Sequence, residues 1–149
     1  AMNSLRTEKA YRHWGHDITD EDTPIEAGLG FAVAWNKPGG FIGKDALLAQ
    51  KESGVKKRLV QFALDDTDPL MYHNEPIWRN GEIVGSITSG MFGHALGKSL
   101  GMGYVNNDDG VDAAWVNEGS YEIEVACERF KATASLRPFY DPKSERVKT

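Results

Sequence analysis

The chain has 149 residues, 40% hydrophobic and 26% charged, the profile of a globular protein of one ordinary domain or two small ones. A net charge of −5 and a pI near 5.4, with no basic run beyond Lys56-Lys57-Arg58, exclude the basic stripe that a nucleic-acid backbone demands. A single cysteine, Cys127, rules out an internal disulfide, and neither a signal-peptide pattern nor an apolar run long enough for a membrane helix is visible. The expected setting is soluble and reducing: cytoplasm, or the mitochondrial matrix in a eukaryote.

Ala1-Met2 reads as a cloning remnant before a sequence that enters a helix at once, so a piece of a longer protein is expected. Ser4 is placed to cap a helix running to about Trp14, with Gly15 as its left-handed terminator. An acidic loop follows. Thr23 to Glu26 ("TPIE") has the spacing of a capping box with Pro24 at the first helical position, although Gly28 and Gly30 keep any helix there short. Residues 29–35 ("LGFAVAW") read as a buried strand. "FIGKDALLAQKESG" predicts an amphipathic helix from near Gly43, stopped by Gly54.

Beyond Lys57 the pattern turns to β. "RLVQFAL" (58–64) is an apolar strand broken by "DDTDP". Asn80-Gly81 between two apolar runs predicts a type I′ hairpin. Residues 98–105, 121–126 and 130–136 supply further strands, and Ile123 and Val125 alternate with Glu122 and Glu124 as in half-buried strands. The composite is an α+β chain whose second part is a small antiparallel barrel or sandwich, with a boundary near residues 54–57. "TSG" at 88–90 reads as a turn at a strand end.

Glu8 stands out among the polar residues. On a helical wheel it lies between Leu5 and Tyr11, on the side expected to face a core. Two readings stand: an ion pair with Arg12 at i+4, or a carboxylate that accepts hydrogen bonds from two adjacent N–H donors of a planar ligand. His13 and His16, three apart, could share a metal, or simply be exposed helix-end residues. The glycines of "GFIGKDAL" match neither phosphate-binding fingerprint. Ser89 lacks the surroundings of a nucleophile, and no catalytic residue is assigned.

Taken together, "LRTEKAYRHWGHDITDEDTPIEAGLGFAV", "FIGKDALLAQKESG", "NGEIVGSITSGMFGHALGKSLGMGYV" and "RPFYDP" resemble the glycine-cleavage T-protein (aminomethyltransferase) family. They resemble most the T-protein-like, C-terminal half of sarcosine and dimethylglycine dehydrogenases. Gly81, Gly85, Thr88, Ser89 and Gly90 hold the places of the family's barrel signature. The resemblance implies that residues 1–56 close a folate-binding domain and residues 57–149 form the family's C-terminal β-barrel.

It further implies that Glu8, the glutamate of an L-R-x-E motif, accepts from N3–H and the 2-amino group of tetrahydrofolate. Lys37 falls roughly where the family places a basic residue that reaches the folate, and Tyr11, with Trp14, is a candidate wall for the pterin. The family's aspartate that assists methylene transfer has no match here, and FAD would belong to an upstream half outside this chain. The implied function is capture of a methylene unit, from oxidative demethylation of sarcosine or dimethylglycine, as 5,10-methylenetetrahydrofolate. A stand-alone aminomethyltransferase or related demethylase is the nearest alternative, and a structural barrel without ligand is the alternative of another class. The expected partners are folate, the parent's N-terminal domains, and a second copy through an exposed apolar face, with neither nucleic acid nor membrane.

Overall fold

A computed structural model describes residues 1–146 and 148. Its centre is a closed six-stranded barrel of β1 (Lys57–Leu64), β2 (Pro76–Arg79), β3 (Glu82–Gly93), β4 (Lys98–Asn106), β5 (Tyr121–Val125) and β6 (Glu128–Ser135). The order around the barrel is β1-β4-β3-β2-β5-β6, every pair antiparallel, and β1 closes it by pairing with both β4 and β6. Closure leaves no sheet edge. Phe62, Leu64, Ile77, Ile87, Val105 and Ile123, inward positions of a period-two pattern, fill the interior together with Met71 from the β1–β2 connection.

The expected hairpin is present, with Asn80 at φ 51° and Gly81 at φ 90° joining β2 to β3, as a type I′ turn requires. Two irregularities shape β3: its register shifts against β2 between Ile77 and Trp78, and against β4 between Ile87 and Ser89. The second leaves Thr88 unpaired and re-aims its side chain, the usual consequence of a bulge. The "TSG" run is therefore inside a strand and does not turn the chain. Its small residues serve a close approach: a Cβ on Gly90 would run into the backbone of Met71, and Gly90 N–H donates to Tyr72 O at 2.6 Å.

The helical part departs further from expectation. α1 spans Met2–Glu8, not 4–14. It ends in a Schellman motif, with Tyr11 N–H on Arg6 O at 2.8 Å, Ala10 N–H on Thr7 O at 3.0 Å, and Ala10 at φ 53°. Alanine fills the place that glycine usually takes because its side chain is buried against Leu59 and Met102. Ser4 does not cap the helix; its hydroxyl donates to Phe92 O at 2.7 Å. The capping-box bonds between Thr23 and Glu26 form, at 2.9 and 3.2 Å, but they tie a run of turns.

Residues 29–35 are not a strand. They hold a 3-10 turn, Gly30–Ala32, closed by Trp35 Nε1–H on Gly30 O at 2.9 Å. α2 (Lys44–Ser53) starts and stops at the expected glycines, yet none of its residues is buried. A third helix, α3 (Ala113–Glu118), is capped by Asp112, whose carboxylate accepts Trp115 N–H at 2.7 Å. It packs Val116 onto the barrel core, and Arg79 holds its end by donating to Trp115 O at 2.8 Å.

Phe62 is fully buried at the centre of the core and meets Tyr121 edge-on. Phe62→Ala should destabilise the fold by about 3–5 kcal/mol, the cost of an aromatic cavity, read as a lowered urea midpoint at unchanged slope.

Candidate functional site

The N-terminal segment lies across one end of the barrel with its polar side down. Ser4, Thr7 and Glu8 are the buried residues of α1, whereas Leu5 is 63% exposed. Glu8, 3% exposed, places Oε1 on two consecutive amides of the β3–β4 turn, Ala95 N–H at 2.7 Å and Leu96 N–H at 3.3 Å. Such paired N–H groups make a nest for an anion. The ion pair with Arg12 does not form: Arg12 donates instead to Ala10 O at 2.7 Å and Ala27 O at 3.0 Å. Burial lowers the Arg12 pKa from its ordinary value, against opposing influences of Tyr104 and Asp17.

Beside this helix opens a cleft of about 880 Å³. Tyr11, Trp14 and Phe31 give it aromatic walls, and Arg12, Arg137 and Lys143 give it positive charge. Phe31 is 84% exposed and Trp14 68%. The volume lies within the range of small-molecule sites, and the chemistry suits a flat ring carrying an anionic tail. The three residues singled out from the sequence do not meet in one pocket. Tyr11 lines the cleft, Glu8 precedes its lining residue Lys9, and Lys37 is exposed in a turn elsewhere.

A second polar centre escaped the sequence reading. Asp17 is fully buried and accepts from four groups. Arg6 Nη1 donates to Oδ2 at 2.9 Å, His13 N–H to Oδ2 at 2.8 Å, Thr88 Oγ1 to Oδ1 at 2.5 Å, and Tyr104 OH to the backbone carbonyl at 2.9 Å. Burial first, then the neighbouring carboxylates, raise the Tyr104 pKa. Arg6 Nη2 also donates to Ser89 Oγ at 3.0 Å, so this serine sits in a structural network. One of five acids between positions 17 and 26, Asp17 carried no distinguishing signal. The rings of His13 and His16 stack, with centroids 4.5 Å apart, and no group of three or more metal-ligating side chains exists among the described residues.

Fold and site together define a closed antiparallel barrel bearing an N-terminal arm with a polar underside and an aromatic, cation-rimmed cleft. Residues 57–141 match the glycine cleavage T-protein C-terminal barrel domain, and residues 1–37 match the GCVT N-terminal domain. The chain belongs to the glycine cleavage T-protein family. It is 43% identical over 148 residues to the 4-methylaminobutanoate oxidase (formaldehyde-forming) of Paenarthrobacter nicotinovorans, covering 99% of this chain and 17% of that protein. Human mitochondrial sarcosine dehydrogenase is 39% identical over 150 residues, with 99% and 16% covered. The crystal structure of glycine cleavage system aminomethyltransferase T from Bartonella henselae superimposes with a TM-score of 0.78 at 28% identity, over 94% of this chain and 38% of that one. The chain thus spans about a sixth of the length of the two curated relatives. No helix among the described residues is long and apolar enough to cross a membrane.

Asp17→Ala would leave the mostly buried Arg6 without its counter-ion and free the Thr88 hydroxyl. Removing one partner of a buried pair is costly, and with Arg6 still 18% exposed a loss of about 2–3 kcal/mol is expected. A thermal melt of the variant should show the lowered midpoint.

Proposed function

We propose that this chain is the folate-facing end of a tetrahydrofolate-dependent enzyme of one-carbon metabolism. The observation that carries the reading is the cleft, where aromatic faces and cations line one volume, with Glu8 next in sequence to its lining residue Lys9. Tyr11 and Trp14 would flank a flat ring, Arg12, Arg137 and Lys143 would attract its carboxylates, and Glu8 would accept from the ring's N–H edge. Lys37, exposed in a turn outside the cleft lining, would reach folate only as a flexible point charge without a bidentate fork. Tetrahydrofolate, when bound, supplies the nitrogens that take up a one-carbon unit; this chain's residues bind, orient and shield it.

The source of the carbon is oxidative demethylation of an N-methyl amino acid, sarcosine or dimethylglycine, with 5,10-methylenetetrahydrofolate as the product. The names of two relatives, a formaldehyde-forming oxidase and a sarcosine dehydrogenase, support this. No dinucleotide fingerprint occurs in the chain, so a flavin is assigned to none of its residues and would sit elsewhere in the parent. The solved aminomethyltransferase neighbour favours a second reading, a stand-alone transferase; a total length near that protein's would select it. Residues 1–56 then complete the folate domain, 57–149 form the barrel domain, and exposed Leu5, Trp14, Phe31 and Ile42 pack against the remaining domains or a second copy.

The test is turnover of the full-length protein with sarcosine and dimethylglycine, with and without tetrahydrofolate. Methylenetetrahydrofolate should accumulate at the expense of free formaldehyde; equal formaldehyde release in both would sink the reading. The 149-residue chain alone should fold but show neither turnover nor tight folate binding in calorimetry, because half a pocket leaves most of the ligand wet.

A further inference from the structure

The geometry points to the β3–β4 turn, with Gly93, as the element that positions the Glu8 carboxylate and reserves one of its oxygens, leaving Oε2 alone for a ligand donor. This inference rests on the folate reading of Glu8. Oε1 is already bound to the consecutive amides of Ala95 and Leu96. Those bonds are charge-assisted and therefore stronger than neutral ones. The turn is closed by Gly97 N–H on Gly93 O at 2.8 Å, and α1 is pinned alongside by Ser4 on Phe92 O. Oε2 has no partner among the described residues and is not among the side-chain atoms sealed from solvent without one.

Gly93 makes the arrangement feasible. A Cβ there would lie 3.0 Å from both Cγ and Oε1 of Glu8 and 2.6 Å from Leu100 Cδ1. A side chain at 93 would force Leu100 to move and crowd the Glu8 carboxylate against its turn bonds. Glu8 is consequently not a free fork for two neighbouring donors. To receive both while keeping its backbone partners, it must place them on the two lone pairs of Oε2. As folded, it offers one fixed acceptor oxygen, Oε2, to the N–H edge of a planar heterocycle. Gly93, Ala95 and Leu96 act through Glu8 and are positioning residues.

The bonding separates two substitutions. In Glu8→Gln the turn amides admit only the amide oxygen, so the NH2 group takes the place of Oε2 and meets a ligand donor with a donor. Hydrogen exchange at Ala95 and Leu96 should stay near wild type in Glu8→Gln, and speed up by about tenfold or more in Glu8→Ala and in Gly93→Ala, where the charged acceptor is lost or displaced. Protection at Ile123 in the barrel core reports that each variant remains folded; should Glu8→Ala unfold, Gly93→Ala gives the same readout. In the full-length protein, Glu8→Gln should weaken tetrahydrofolate binding about tenfold or more by calorimetry. Tetrahydrofolate added to wild type should leave the two amides as protected as before.

Unchanged exchange in the folded Ala variants would overturn the positioning role. Faster exchange of Ala95 and Leu96 on folate binding would overturn the single-oxygen assignment. If the turn responds as expected while Glu8→Gln binds folate like wild type, the positioning holds and the folate reading of Glu8 falls.

Discussion

The attachment of α1 to the barrel is polar, and the placement of the site follows from that. A helix of seven residues is too short to persist alone, and α1 has no apolar stripe to bury. It is held by directional bonds: Ser4 to Phe92 O, Gln61 Nε2 to Thr7 O at 2.6 Å, and Glu8 to the turn amides. The far side of Gln61 accepts Phe139 N–H at 2.9 Å, and Lys9 donates to Asp141 O at 2.7 Å. The closing segment is thereby drawn onto the same helix. Because hydrogen bonds fix distance and orientation more tightly than apolar contact, Glu8 and Tyr11 inherit their positions from β1 and β3 of the barrel.

The same inversion decides which face remains open. With the polar side turned inward, Met2 and Leu5 point outward, and Tyr11, Trp14 and Phe31 extend that exposed apolar surface around the cleft. An apolar surface of this kind marks a place where something else packs. Arg12 separates the open face from the barrel: its guanidinium ties Ala10 to Ala27 and so joins the arm to the turns after Thr23.

Legibility in the sequence followed the physics of each element. The barrel strands were readable because alternation and the Asn80-Gly81 turn are local signals, and closure needs only that inward residues be apolar. The arm was misread because a helical wheel equates apolar with buried; here Leu5 is outside and Glu8 inside. Gly15 has the composition of the terminator, but the terminating residue is Ala10, which adopts the left-handed conformation with its side chain buried against Leu59 and Met102. The "TSG" run has turn composition, yet Gly90 makes room for Met71 while Thr88 and Ser89 join the Asp17–Arg6 network. Glu8 was recognisable as out of place, while its partners, 87 and 88 residues on, were not. Asp17 had nothing local to mark it, since every side chain that binds it other than Arg6 comes from β3 or β4.

The two buried carboxylates divide the work of fixing the arm. In Asp17 both oxygens and the carbonyl are engaged, by Arg6, His13, Thr88 and Tyr104, and the residue is fully buried, so it serves as an anchor. The bulge that sends Thr88 toward it costs β3 a ladder position, an irregularity that the anchor offsets. Glu8 is half satisfied: one oxygen is fixed, the other is free. Its free oxygen is not sealed from solvent, so it can exchange water for a ligand donor. That asymmetry, more than the nature of the residue, is why the proposed folate contact falls to Glu8 and the support to Asp17.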